Sequence, residues 1–402
     1  MTATSTWQND HNVYVLGAGF SFDARLPLIA DFLHRMRDSV EWLQDSGRTE
    51  EATAIRTVLG FRHSATASAY RSQLDVENIE QLFSLASALP REHALPHIPL
   101  AISATLDFAA HTQPQGQCQL PFDRSWKSPP STWKDVTGSL ASGERAPTPT
   151  SSIFECSPYD LYLGLMSGWL ADPVLPARNT IITFNYDTVA EDALIRLGHS
   201  IFYGFAPKQF ALSPAADGSG SFSRDTNSHR SITILKLHGS INWAMPKKRG
   251  GRLTVYPSYE SLRSDNLHPL LVPPTWNKII TQQLVSVWTS AVQAMSTATR
   301  LVIIGYSIPP TDTHFKYLLA AGLMNNISLR KILVVNPASR HMDDRLGDVF
   351  QGSFRKSGVF DLIDKYTSDF FVQPDSWRKL GRHFRPSKDQ LFRQPRVDVH
   401  YD

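Results

Sequence analysis

The sequence predicts an α/β protein: a parallel sheet with helices on both faces, carrying an inserted, mostly helical module. Three observations predict it. Short apolar runs rich in β-branched residues recur along the chain, each ending abruptly at glycine or a polar residue. Segments with apolar residues at helical spacing separate them. The residues suited to chemistry stand at the ends of the runs, which is where ligands bind in open parallel sheets.

Val13-Tyr14-Val15-Leu16 is the first run and stops at Gly17-Ala18-Gly19. It reads as a buried strand entering a tight turn. From about Pro27 to Leu43, the residues Phe32, Leu33, Met36, Val40 and Leu43 mark a helix. Residues 50–110 read as mostly helical, with Ile79, Leu82, Phe83, Leu85 and Ala86 on one apolar face. Pro, Ser, Thr and Gly fill nearly half of 111–151, which predicts a long flexible loop. A helix is expected from about Pro158 to Leu170.

The second strand, Thr180–Phe184, runs straight into Asn185-Tyr186-Asp187, and a helix follows from about Val189 to Leu197. Residues 211–230, rich in Ser and Gly, read as a loop. Ile232–Leu237 is a third strand ending at His238-Gly239. Leu284, Val287, Trp288, Ala291 and Met295 form a helical stripe between about Ile279 and Met295. Leu301–Ile304 is a fourth strand ending at Gly305-Tyr306-Ser307. A helix from His314 to Leu323 leads to a fifth, Ile332–Val335, ending at Asn336-Pro337.

With 402 residues the chain can bury a sizeable core without disulfides or a structural metal. Its 40 basic and 37 acidic residues leave a net charge of +3, too balanced for binding nucleic acid or membrane over the whole surface. Cys118 and Cys156 are the two cysteines, so no zinc ribbon can be built from this chain's cysteines and no metal site is expected. Two cysteines and a polar Met1–His11 without the apolar centre of a signal peptide fit the cytoplasm. The longest charge-free run, Ile279–Thr299, is too rich in Ser, Thr and Gln to span a membrane. Residues 376–397 carry seven basic side chains with Trp377, Phe384 and Phe392 among them. That pattern suggests single-stranded nucleic acid only weakly. A solvated tail packed through its aromatics, or a subunit contact, is the favoured explanation.

The strand ends supply the candidate chemistry. Gly17-Ala18-Gly19-Phe20-Ser21 follows a strand and precedes a helix, where glycines let backbone N–H groups approach a pyrophosphate. Phe22 stands where the dinucleotide fingerprint has its third glycine, and a plain tight turn is the competing explanation. Asn185 and Asp187 suit holding a ribose or water and facing a developing positive charge, or one of them caps the next helix. His238, beside glycine at the mouth of a cleft, has the right range for proton transfer near neutrality, although a structural role is open to it. Ser307 and Asn336 suit hydrogen bonds to phosphate or ribose. Asp312 opens the next helix, as a ligand contact or as its cap.

Taken together, GAGFS at 17–21, TFNYD at 183–187, LKLHGS at 235–240, GYS at 305–307 and VVNP at 334–337 resemble the sirtuin superfamily. More narrowly they resemble the bacterial sirtuin-like proteins of antiphage defence, over about residues 12–345. The resemblance implies a Rossmann-like domain over 12–345 with a helical insertion at about 45–175, and a C-terminal tail over 346–402. It implies NAD as substrate, with Gly17, Ala18, Gly19 and Ser21 along the pyrophosphate. Asn185 and Asp187 would hold the nicotinamide ribose side, His238 would be the general base, and Gly305, Ser307, Asp312 and Asn336 would meet the phosphate or adenosine half.

Two departures bear on activity. Protein-deacylating sirtuins carry a four-cysteine zinc ribbon, and their glycine loop runs on to Pro-Asp-Phe-Arg. Here Pro27 is followed by Leu28-Ile29-Ala30. Both favour NAD glycohydrolase activity, the defence branch's reaction, over an NAD-dependent deacylase or ADP-ribosyltransferase. A non-catalytic NAD-binding subunit is the third reading. The resemblance also implies a homo-oligomer and a separate regulator, such as a HerA-type ATPase or another defence subunit.

Overall fold

The computed structural model describes residues 10–89, 94–112, 157–167, 178–197, 199–205, 210–214, 220–224, 231–244, 253–276, 282–309, 312–337, 339–371 and 373. Most of the expected 111–151 loop, the 376–397 basic segment and both cysteines lie outside them.

The strands are β1 (His11–Leu16), β2 (Arg178–Thr183), β3 (Ser200–Phe202), β4 (Phe210–Pro214), β5 (Gly220–Arg224), β6 (Ser231–Lys236), β7 (Gly239–Ala244), β8 (Thr254–Val255), β9 (Pro269–Leu271), β10 (Arg300–Ile304), β11 (Lys331–Val335) and β12 (Phe360–Ile363). The helices are α1 (Phe32–Asp45), α2 (Thr49–Arg71), α3 (Ile79–Ala88), α4 (Ile98–His111), α5 (Pro158–Met166), α6 (Val189–Arg196), α7 (Tyr259–Ser264), α8 (Val285–Ser296), α9 (Thr313–Leu323), α10 (Ser339–Val349), α11 (Gly352–Arg355) and α12 (Thr367–Phe371).

Nine strands form the main sheet in the order β12-β11-β10-β1-β2-β6-β3-β4-β5. The seven from β12 to β3 are parallel, flanked by helices in a Rossmann-like arrangement. β1 is buried along its whole length, which is why Val13–Leu16 forms a continuous apolar run on both faces, while the buried His11 and Asn12 hydrogen-bond to neighbouring strands. It lies between β2 and β10, with Leu16 opposite both Thr183 and Ile304. The chain leaves β1 toward β2 on one side and later fills β10, β11 and β12 on the other. Such a reversal opens a crevice beyond the strand ends.

A second apolar core lies among α1 to α4 and takes in Ile241 and Leu271 from the smaller β8-β7-β9 sheet and Tyr259 from α7. The inserted module therefore uses α1, ahead of the expected start near residue 45. It does not use α5, whose Tyr159, Leu161, Tyr162 and Leu165 join the core of the main sheet.

Three other expectations are corrected. Residues 211–230 are not a loop throughout, because β4 and β5 pair antiparallel at the sheet edge. Residues 346–371 are not tail, because β12 pairs with β11 and Phe370 and Phe371 are fully buried. The glycine turn does not open an α-helix. A 3-10 turn, Ala18–Ala24, follows it, and α1 begins only at Phe32.

Candidate functional site

The glycine turn is shaped by the neighbouring strand end. The N–H of Gly17 donates to the Ile304 carbonyl, and that of Gly19 to the Gly305 carbonyl at 2.8 Å. A Cβ on Gly17 would lie 2.5 Å from the Tyr306 Cα, and one on Gly19 would lie 2.8 Å from the Gly305 oxygen. Gly305 sits at φ +60°, and its Cβ would lie 2.2 Å from the Phe20 nitrogen. These glycines let two loops touch, and two of the amides expected to face a pyrophosphate are already used. Ala18 is exposed at the turn, whereas Ser21 is buried.

Asn185 joins the second strand end to the first. Its Nδ2 donates to the Gly17 carbonyl at 2.9 Å and to Ser21 Oγ at 3.0 Å. Its own N–H donates to Thr183 Oγ1 at 3.1 Å. Neither Asn185 nor Asp187 is the N-cap of α6, which is Thr188; Asp187, one residue ahead of it, accepts the first helix N–H, that of Val189, through Oδ1 at 3.1 Å.

His238 is buried beyond the end of β6. Its ring meets Phe184 edge-on with centroids 5.1 Å apart and lies 6.3 Å from Tyr186. Phe184 in turn stacks on Tyr306 at 4.6 Å, and Phe315 closes both from the side. The aromatic rings thus form a continuous wall from the His238 strand end to the Gly305 strand end. Burial, with Asp312 beside it, holds the Tyr306 hydroxyl well above its usual pKa range, so it stays protonated and donates to Asp312 Oδ2 at 2.5 Å. Burial also raises the Tyr186 hydroxyl, which donates to the Val272 carbonyl at 2.7 Å.

The remaining expected residues sit on the far side of this wall. Asp312 is the N-cap residue of α9, yet its carboxylate takes the Tyr306 hydroxyl rather than a helix N–H. Asn336 Nδ2 donates to the Tyr306 carbonyl at 3.3 Å, and the Ser307 carbonyl accepts from Arg345 at 2.7 Å. Ile308, buried, stands at φ +48°. β-branched residues rarely adopt that region, and such strain clusters at ligand-binding turns.

Gly17, Ser21, Asn185, Gly305, Asp312 and Asn336 are therefore linked directly or through one residue. His238 adjoins them through Phe184. Sequence reasoning passed over this aromatic wall and the support of the 3-10 turn. Tyr159 OH bridges the Phe20 carbonyl and the Ala24 N–H, both at 2.9 Å. Thr367 Oγ1 reaches the Gly19 carbonyl at 3.3 Å. It also passed over Lys236, a lone charge inside an apolar strand, which was the available signal. Among the described residues there is no cluster of His, Cys, Asp or Glu that would hold a metal ion. Among them no helix is long and apolar enough to cross a membrane.

Solved structures of Sir2 proteins align over most of the chain at low identity. A mutant Sir2 homologue with 2′-O-acetyl ADP ribose is 11% identical with a TM-score of 0.38, covering 92% of this chain and 91% of that one. A structure described under the mechanism and regulation of Sir2 enzymes is 12% identical with a TM-score of 0.37, covering 93% and 94%. A Sir2 homologue in complex with NAD is 11% identical with a TM-score of 0.35, covering 92% and 89%. No curated protein matches the chain. Residues 179–349, from β2 to the end of α10 and including every candidate site residue except those of the glycine turn, match the family model described as a SIR2-like domain.

Proposed function

We propose that this chain is an NAD glycohydrolase that cleaves NAD to nicotinamide and ADP-ribose. The observation that carries the reading is the Asn185 amide, which binds the Gly17 carbonyl and Ser21 Oγ and so unites two separate strand-end motifs in one crevice. The SIR2-like match over 179–349 supports it from the other strand ends. Having two cysteines in all, the chain cannot supply the four-cysteine ribbon of the deacylating branch.

The chemistry asks little of the protein. The nicotinamide ring of NAD carries a positive charge, so the N-glycosidic bond breaks with its electron pair going to the ring nitrogen and no acid is needed. The ribose C1′ left behind is oxocarbenium-like, as in glycoside hydrolysis. Oriented dipoles and a carboxylate stabilise that charge. In this reading Asn185 positions the ribose or the attacking water, and Asp187 faces the cation with the carboxylate that also accepts the first N–H of α6. His238 takes the proton that water loses as it bonds to C1′. Gly17, Ala18, Gly19 and Ser21 take the pyrophosphate side, and Gly305, Ser307, Asp312 and Asn336 the adenosine side.

The biological role we attach to this activity is NAD depletion in the cytoplasm during antiphage defence. The enzyme would act as a homo-oligomer restrained by a separate partner, such as a HerA-type ATPase. The test is chromatography of nicotinamide released from NAD by the purified chain, beside Asn185→Ala and His238→Ala. Release by wild type and its loss in both variants is expected. Full cleavage by both variants would refute the assignment. Formation of O-acyl-ADP-ribose from an acylated peptide would replace hydrolysis with deacylation.

A further inference from the structure

Lys236 and Glu191 have no part in the reading above, yet their side chains are 0% and 1% exposed. Lys236 closes β6, two residues before His238, and Glu191 lies in the first turn of α6. The ammonium Nζ is 2.7 Å from Glu191 Oε1 and also donates to the Asp187 carbonyl. One buried cation therefore ties together the end of β6, the start of α6 and the Asn185–Asp187 turn between β2 and α6.

Stability alone does not account for such a pair. Taking two charges out of water offsets most of their attraction, and apolar side chains of similar volume serve as well or better. Burial pushes the Glu191 carboxyl up, against the pull of Lys236. What an apolar pair cannot supply is direction. The Asp187 peptide plane is held by the ammonium. The next carbonyl back, that of Tyr186, accepts from the Ile241 N–H at 3.0 Å. The Thr183 carbonyl accepts from the Leu237 N–H at 3.0 Å. Every one of these donors comes from Lys236 to Ile241, the segment that carries His238.

We propose that Lys236 and Glu191 are positioning residues: their buried ion pair fixes the Asn185–Asp187 turn against the segment carrying His238, and so governs the rate of bond cleavage rather than nucleotide affinity. The proposal rests on the NAD-cleaving reading. Its test joins two readouts on the full chain, amide hydrogen exchange and nicotinamide release. The main variant, Lys236→Met with Glu191→Leu, removes both charges and leaves neither alone.

The expected result is exchange over residues 184–188 faster by about tenfold or more, with β10 unchanged. With it, kcat should fall about tenfold or more while KM stays within about threefold, because misplacement acts on the reacting geometry. Glu191→Gln, which keeps an acceptor for Nζ, is expected to retain about a third or more of wild-type kcat, rescuing most of the loss. Wild-type exchange and wild-type kcat in the double variant would overturn the proposal. So would a general rise in exchange that includes β10. If the double variant does not fold, Lys236→Met alone, which removes the donor to the Asp187 carbonyl, overturns it by showing wild-type exchange over 184–188 and wild-type kcat. A wild-type chain that releases no nicotinamide refutes the NAD-cleaving reading. The exchange arm still decides whether the pair holds the turn.

Discussion

Gly305→Ala, compared with Gly47→Ala, separates backbone strain from collision at the glycine crossing. Both glycines have positive φ, +60° and +69°. Gly47 follows α1 in a Schellman arrangement, with its N–H on the Gln44 carbonyl and the Arg48 N–H on the Leu43 carbonyl. A Cβ there meets nothing within 4 Å. Its replacement should cost only the left-handed penalty, about 1–2 kcal/mol. At Gly305 the same penalty applies, but the new Cβ would also lie 2.2 Å from the Phe20 nitrogen and 2.4 Å from the Gly19 carbonyl carbon. Ordinary contact begins near 3.4 Å, so one backbone must retreat by about 1 Å. That retreat strains the 2.8 Å bond from the Gly19 N–H to the Gly305 carbonyl, adding about 1 kcal/mol to an overpacking cost of about 1–3 kcal/mol. Gly305→Ala should therefore be destabilised by about 3–6 kcal/mol in all. Urea unfolding followed by far-ultraviolet circular dichroism measures both. Values within about 1 kcal/mol of each other would refute the claim that close approach, rather than φ alone, requires glycine at 305.

Other predictions test the surroundings. Burial, with Arg178 adding to it, lowers the His11 pKa from 6.5 to about 4, and the neutral ring bonds Thr297 Oγ1 and Thr180 Oγ1. Its contribution is therefore complete above pH 6.5 and is lost as pH falls toward about 4, up to about 3 kcal/mol. Unfolding measured across that window should be flatter for His11→Gln by about one proton. Tyr159→Phe removes two hydrogen bonds to the 3-10 turn, at about 1 kcal/mol each. It should weaken NAD binding in calorimetry without touching the Asn185 contacts. Ser21→Ala leaves Asn185 its bond to the Gly17 carbonyl and should keep turnover within about tenfold of wild type. A loss equal to that of Asn185→Ala would place the effect on Ser21 itself.

The strand ends were readable because burial on both faces leaves a continuous apolar run, and the break in that run marks where the chain leaves the sheet. Leu16-Gly17, Phe184-Asn185, Leu237-His238, Ile304-Gly305 and Val335-Asn336 all lie at or just past such breaks. Elements at the sheet margins gave no comparable run. β3 has three residues, β4 (Phe210–Pro214) ends in Ser-Pro, and β5 (Gly220–Arg224) has two serines around one phenylalanine. β12 is only half buried at Asp361 and Leu362. In the site, the glycines were legible as glycines but not in their role. They serve contact between two loops that are nearly three hundred residues apart in the chain, and no local pattern records such a partner. Asp187 was ambiguous between helix end and ligand because the first N–H of α6 takes the same carboxylate. The Phe184–Tyr306 stack was missed because aromatic residues just past strands also read as ordinary core.

The central place of β1 bears on how the chain assembles. Its register partners begin at Arg178 on one side and Arg300 on the other, and the His11 N–H finds Thr299 Oγ1 across 288 positions. At about 5–20 residues per second of synthesis, β1 waits about 15–60 s for its second neighbour. Both hydrogen-bonding edges of this largely apolar strand are open until β2 is made, and one stays open until β10 follows. Sheet closure is dominated by long-range contacts, the kind that form slowly and invite mispairing. The chain should therefore refold poorly from denaturant at high concentration. It should gain from a holdase or slow, dilute refolding more than its balanced surface charge would suggest.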